Sequence, residues 1–136
     1  MTKEEIISKV KSLDLPINSY IVFGSCPLTV CGIREAKDID LLVSKEIYQK
    51  LRNSGWKELY KNPRDKPLVH DVFEAHENWN FSSYSPTLEY LLTNAINIDG
   101  VLFASINDVL KWKTASGRLK DLTDIKLIEL YKQENF

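Results

Sequence analysis

The chain is poor in cysteine and histidine, has no long apolar run and carries almost no net charge, and each shortage removes a class of protein. Its 136 residues hold two cysteines and two histidines. Cys26 and Cys31 form a C-x4-C pair and His70 and His76 an H-x5-H pair, too far apart in sequence for a compact zinc finger. Two cysteines do not make a disulfide framework either, and they are expected as free thiols in a reducing compartment. No apolar run approaches membrane-spanning length, and the opening MTKEEIISKVKSLDL carries Glu4 and Glu5 where a signal peptide needs a continuous apolar stretch. The expectation is a cytoplasmic protein with no membrane partner. A formal net charge of -1 and a pI near 6.1 give no overall basic field for gripping nucleic acid, so any cationic work is local. Repeats, low-complexity tracts and long linkers are absent as well.

What is there suits one domain over residues 1–136: 43% hydrophobic and 10% aromatic residues are enough for a real core. Ile6, Ile7, Val10 and Leu13 share one helical face, and Pro16 stops that helix. YIVFG (20–24) and DIDLLVS (38–44) read as strands, and KEIYQKLRNSG as a helix with Ser44 as N-cap and Gly55 just past its end. WKELYKN reads as a short strand, NPRDKP as a turn, and LVHDVFEA (68–75) as one strand. On that strand Val69, Asp71 and Phe73 would share a face, opposite His70, Val72 and Glu74. HENWNFSSYSP is loop-like, TLEYLLTNAI a helix, GVLFAS a strand, and SINDVLKWKTA a helix capped by Ser105. After the break at Gly117, Leu122, Ile125, Ile128 and Leu130 are expected to pack a final helix on the core. Trp56, Trp79 and Trp112 are expected to anchor the core or its loops.

Two features are out of place in an ordinary core. Asp38 and Asp40 flank Ile39 in an otherwise apolar strand, although strand interiors disfavour Asp and a buried charge is costly unless paired or bound to metal. Their i, i+2 spacing puts both carboxylates on one face, a chelate suited to Mg2+, which takes oxygen ligands together with substrate phosphates. With twelve residues between them and Asp38, Gly24 and Ser25 leave the preceding strand. There glycine permits a sharp turn, and the following N–H groups can face a polyphosphate.

Gly-Ser, then D-x-D, resembles the G-S-x(about 10)-D-x-D signature of the nucleotidyltransferase superfamily related to DNA polymerase beta. HDVF sits where that superfamily has a third carboxylate, and LKWKTASGRLKDLTDIKLIE is similar to the C-terminal part of its small stand-alone members. The resemblance implies an α/β (α+β) fold with a mixed β-sheet and helices mainly on one side. It also implies two Mg2+ ions, an NTP substrate and transfer of a nucleoside monophosphate with release of pyrophosphate. Residue by residue, it implies Asp38, Asp40 and Asp71 as the catalytic metal ligands, Gly24 and Ser25 on the triphosphate, and Lys113 and Arg118 as further nucleotide-binding charges, with Lys120 behind them.

Plainer roles compete with these. Asp71 could cap a strand end or pair with Arg34, Lys37 or Arg64, with Glu74 as its substitute were its face not the opposite one. Lys113 and Arg118 could be a solvated helix end, and Asp121 and Asp124 could pair with Lys120 or Arg118. The residues after Gly-Ser, CPLTVCGIRE, depart from the GSRARG-like form of antitoxin-type members, and Pro27 removes one N–H. Because the chain has no room for an acceptor-holding domain, specificity for a small-molecule, protein or RNA acceptor would come from loops, a protein partner or a homodimer interface. The alternative to an enzyme is a catalytically weak, antitoxin-like nucleotide-binding module on the same fold.

Overall fold

The computed structural model describes residues 1–80 and 82–135; Phe81, inside the predicted loop, and Phe136 lie outside the described residues. Among the described residues there are six helices and one seven-stranded mixed sheet. In chain order the elements are α1 (Lys3–Ser12), β1 (Tyr20–Phe23), α2 (Cys26–Val30), β2 (Ile39–Val43), α3 (Lys45–Asn53), β3 (Lys57–Glu58), β4 (Leu68–His70), β5 (Phe73–His76), α4 (Leu88–Thr93), β6 (Ile96–Ile98), β7 (Val101–Phe103), α5 (Ile106–Ser116) and α6 (Leu119–Asn135). Across the sheet the strands run β3-β4-β5-β2-β1-β7-β6. The centre is β2, antiparallel to β1 and parallel to β5, while β7 runs parallel to β1. The expected α/β class with a mixed sheet is what the chain adopts.

Local chemistry explains the helix starts. Ser44 and Ser105 each accept a backbone N–H from the first turn of α3 and α5, at 3.2 and 3.1 Å, as their positions predicted. Thr2 and Glu5 add a reciprocal capping box on α1. The central strands are buried on both faces: Ile21, Val22, Phe23, Ile39 and Leu41 are fully enclosed, each worth about 1.5–3 kcal/mol for a large side chain. Trp56, Trp79 and Trp112 are all buried, and Trp79 and Trp112 pack on Phe23 with ring centroids at 4.8 and 5.4 Å.

Three sequence expectations are corrected. The single strand over 68–75 is a tight hairpin: β4 and β5 pair antiparallel, His70 opposite Phe73, around a turn at Asp71 and Val72. Asp71 has φ 52°, a left-handed conformation that Asp tolerates better than most residues. A further strand, β6, forms a hairpin with β7 through Asp99 and Gly100, both at positive φ, the Asp-Gly signature of a two-residue turn. Finally, Leu122 and Leu130 are 50% and 54% exposed; the inward stripe of α6 is Asp121, Asp124 and Ile128. Two acids displace leucines from the interior because their partners lie there.

Candidate active site

Parallel pairing of β2 with β5 sets Asp40 beside Glu74 and Leu42 beside His76. In-register neighbours share a face, so Asp40, Glu74 and His76 project together. Each offers one ligand atom, and all three lie within 4.8 Å of one another. The His76 Nε2 is 3.6 Å from Asp40 Oδ1, and its Nδ1 is 3.3 Å from Asp65 Oδ1. Lys61, from the loop after β3, reaches Glu74 Oε1 at 3.0 Å. Burial raises the carboxyl of Glu74, and the neighbouring Asp40 raises it further. Burial works in the same direction on Asp40, but the hydrogen bond and charge of His76 outweigh it and hold Asp40 below its ordinary value. Two half-buried carboxylates side by side form a hard oxygen donor set that fits a dication such as Mg2+; the imidazole is the donor least typical of it.

Asp38 stands just ahead of β2, exposed on the wall of the same cavity, without joining that three-residue group. Its carbonyl accepts the Cys26 Sγ at 3.2 Å, and burial together with the charges of Asp40 and Asp38 pushes the Cys26 thiol up to about 12. The expected third carboxylate, Asp71, is elsewhere. It sits on the exposed β4–β5 turn with its carboxylate 2.9 Å from Lys9 Nζ of α1. The reason is the hairpin: Phe73 neighbours Ile39 and shares its buried face, which leaves the alternate residue, Glu74, beside Asp40. His70 is likewise remote, stacked on Trp56 at 5.2 Å.

Gly24 links the two sequence motifs physically. Its φ is 63°, and a Cβ added there would lie 2.2 Å from Asp40 Oδ2. The turn after β1 is therefore pressed directly against the Asp40 carboxylate, in a space only glycine leaves open. Ser25 follows at the start of α2 and uses its side chain for no cap. Its Oγ faces Lys113 Nζ at 3.5 Å.

Lys113 and Arg118 line the same cavity as Asp40, a space of about 410 Å3. Lys113 is 2% exposed, with its Nζ 2.8 Å from Asp124 Oδ2 and 3.6 Å from Asp121 Oδ1. Arg118 grips Asp121 through Nε and Nη2 at 2.7 and 3.0 Å. Arg34, from the loop between α2 and β2, holds both oxygens of Asp124 at 2.7 and 2.9 Å. Burial would raise the carboxyl of Asp121, yet the hydrogen bonds from Arg118 hold it below its ordinary value. The Trp112 ring lies beneath both cations, 4.6 Å from Lys113 Nζ and 5.6 Å from the Arg118 guanidinium carbon.

The structure thus brings together Gly24, Ser25, Asp38, Asp40, Lys113 and Arg118 and leaves Asp71 out. It adds Glu74, His76, Lys61, Asp65 and Arg34. Of these, Glu74 and His76 had a signal: E-x-H at 74–76 repeats on β5 the alternation that D-x-D shows on β2.

No protein-family model matches the chain, and no curated protein matches its sequence. A solved structure that does match is the crystal structure of ANT(2")-Ia in complex with adenylyl-2"-tobramycin, an aminoglycoside nucleotidyltransferase. The TM-score is 0.53 at 13% identity, over 92% of this chain and 84% of that one. The fold is nucleotidyltransferase-like. At this identity the likeness speaks for architecture, and what the cavity does is argued from its own residues. Among the described residues, no helix is long and apolar enough to cross a membrane.

Proposed function

We propose that the chain is a Mg2+-dependent nucleotidyltransferase that moves a nucleoside monophosphate from an NTP to a hydroxyl or phosphate of an acceptor. The observation that carries this reading is the contact of Gly24 with Asp40. It joins a turn suited to phosphate to a carboxylate pair suited to metal, at a spacing too close for any side chain between them.

In this reading Asp40 and Glu74, with Asp38 at the cavity mouth, hold Mg2+, in the two-ion arrangement the sequence resemblance implies. When bound, the metal would neutralise phosphate charge and lower the pKa of the attacking hydroxyl. The backbone after Gly24 and the Ser25 hydroxyl hold the outer phosphates, and Lys113 and Arg118 offset their charge. The acceptor oxygen bonds to the α-phosphorus as the bond to pyrophosphate breaks, and the acceptor proton is released. The protein's part is alignment and charge compensation, which supply most of the rate in phosphoryl transfer. His76, clamped between Asp40 and Asp65, fixes the orientation of the Asp40 carboxylate.

The test is thermal unfolding of wild type and Asp40→Asn with each of the four NTPs, with and without Mg2+, followed by a pyrophosphate-release assay. A ligand at a hundred times its Kd stabilises by about 2.7 kcal/mol, several degrees for a domain of this size. A Mg2+-dependent rise that Asp40→Asn abolishes is the expected result. No rise with any NTP would overturn the reading. A rise without pyrophosphate release across acceptor classes would favour the nucleotide-binding module instead.

A further inference from the structure

We infer that Asp124 is a positioning residue: one buried carboxylate that ties Lys113 of α5 to Arg34 of the α2–β2 loop and presents both cations to the phosphate end of the cavity. This rests on the nucleotidyltransferase reading and names a device within it that the sequence resemblance did not assign.

Geometry separates Asp124 from its neighbour Asp121. Asp121 is already taken by Arg118 through three hydrogen bonds, backbone N–H included, and lies 3.6 Å from Lys113. Asp124 is the direct partner of Lys113, at 2.8 Å, and the side chain of Asp124 is only 2% exposed. Its other face is filled by Arg34. Without Asp124 the ammonium would keep only the longer approach to Asp121, so the 2.8 Å pair is what fixes Lys113 against the wall that holds Ser25.

The charge count points outward. Lys113, Arg34 and Arg118 are three cations held by two carboxylates, Asp121 and Asp124. One positive charge is left over at a cavity wall, where an α6 built only to clamp α5 would need none. Arg34 comes from the loop that leads into Asp38 and Asp40, so the same carboxylate also couples the approach to β2 to the α5–α6 pair.

The experiment compares affinities for the NTP that binds wild type best and for the matching NMP, both with Mg2+. In Asp124→Asn, NTP affinity should fall about tenfold while NMP affinity holds, because only the outer phosphates reach Lys113. Asp124→Glu should recover part of the loss, and in a background lacking both cations, Lys113→Met with Arg34→Gln, Asp124→Asn should cost nothing further. Arg34→Gln, at a side chain 37% exposed and with Lys113 still pairing Asp124, is expected to fold and should lower NTP affinity several-fold with the same selectivity. If Asp124→Asn lowers Tm but keeps the wild-type NTP-to-NMP ratio, or Arg34→Gln keeps it where Asp124→Asn does not fold, the inference fails and the proposed function stands. If wild type itself binds no NTP, both fail.

Discussion

The cavity has two ends built on opposite electrostatic rules. At the acidic end, Asp40 and Glu74 lie side by side on β2 and β5, and their neighbours are a half-exposed Lys61 and the His76 imidazole. At the basic end, each buried carboxylate of α6 grips an arginine and lies against Lys113. One end sets two carboxylates side by side, an arrangement that fits the dication of the proposed function. At the other, both buried carboxylates are paired within the chain, so it stiffens the fold before any ligand arrives. Stability should therefore respond in opposite directions at the two ends.

The largest effect is expected at the basic end. Asp121→Asn removes the buried carboxylate that holds Arg118 and lies 3.6 Å from Lys113, leaving that ammonium to Asp124, and should destabilise by about 3 kcal/mol, a fall of roughly 10 °C in Tm. The pH dependence carries the same signature. An acid whose folded value is depressed stabilises the fold above its ordinary value, here 3.8, and that stabilisation is lost as pH falls through the folded value. Denaturant unfolding from pH 6 down to pH 3 should show wild type losing stability in the acid window more steeply than Asp121→Asn. Equal slopes would break the contrast.

At the acidic end the sign reverses. Glu74→Gln relieves a carboxylate pair and should leave the metal-free protein as stable as wild type or raise its Tm by about a degree or two. The same change should abolish the Mg2+-dependent response to NTP. A drop in Tm as large as that of Asp121→Asn would mean the two ends are not distinct. The smallest effect belongs to Asp71→Asn: with an exposed partner, Lys9, it should change neither Tm nor nucleotide affinity measurably. Loss of nucleotide binding there would restore Asp71 to the site in place of Glu74.

The contrast also explains what the sequence made legible. Elements with strong local signals were readable: the serine caps at Ser44 and Ser105, the strands YIVF and IDLLV, the break at Gly117. Gly24, Asp38 and Asp40 were readable because their peculiarity is local, an acid where a strand wants none. The third carboxylate of the proposed site was not, because whether Asp71 or Glu74 lies beside Asp40 depends on which face of β5 meets β2. That is a fact of non-local pairing, fixed by Phe73 entering the core next to Ile39. Leu122 and Leu130 misled for a related reason. Hydrophobic spacing names the apolar stripe, but the buried stripe of α6 is chosen by the cations waiting for Asp121 and Asp124. Arg34 joins the site across 90 residues of sequence, which no local pattern could announce.

The contact between Gly24 and Asp40 bears on how such a sequence can drift. With 2.2 Å between an added methyl and a carboxylate oxygen, the two positions are not independent letters. A larger residue at 24 is admissible only on a background that has already surrendered the acid at 40, and even then it meets a backbone conformation it dislikes. Mutational paths through this pair therefore descend before they can rise. The dependence runs one way: a side chain at 24 requires the acid at 40 to be gone, whereas loss of the acid leaves a positive φ that still favours glycine.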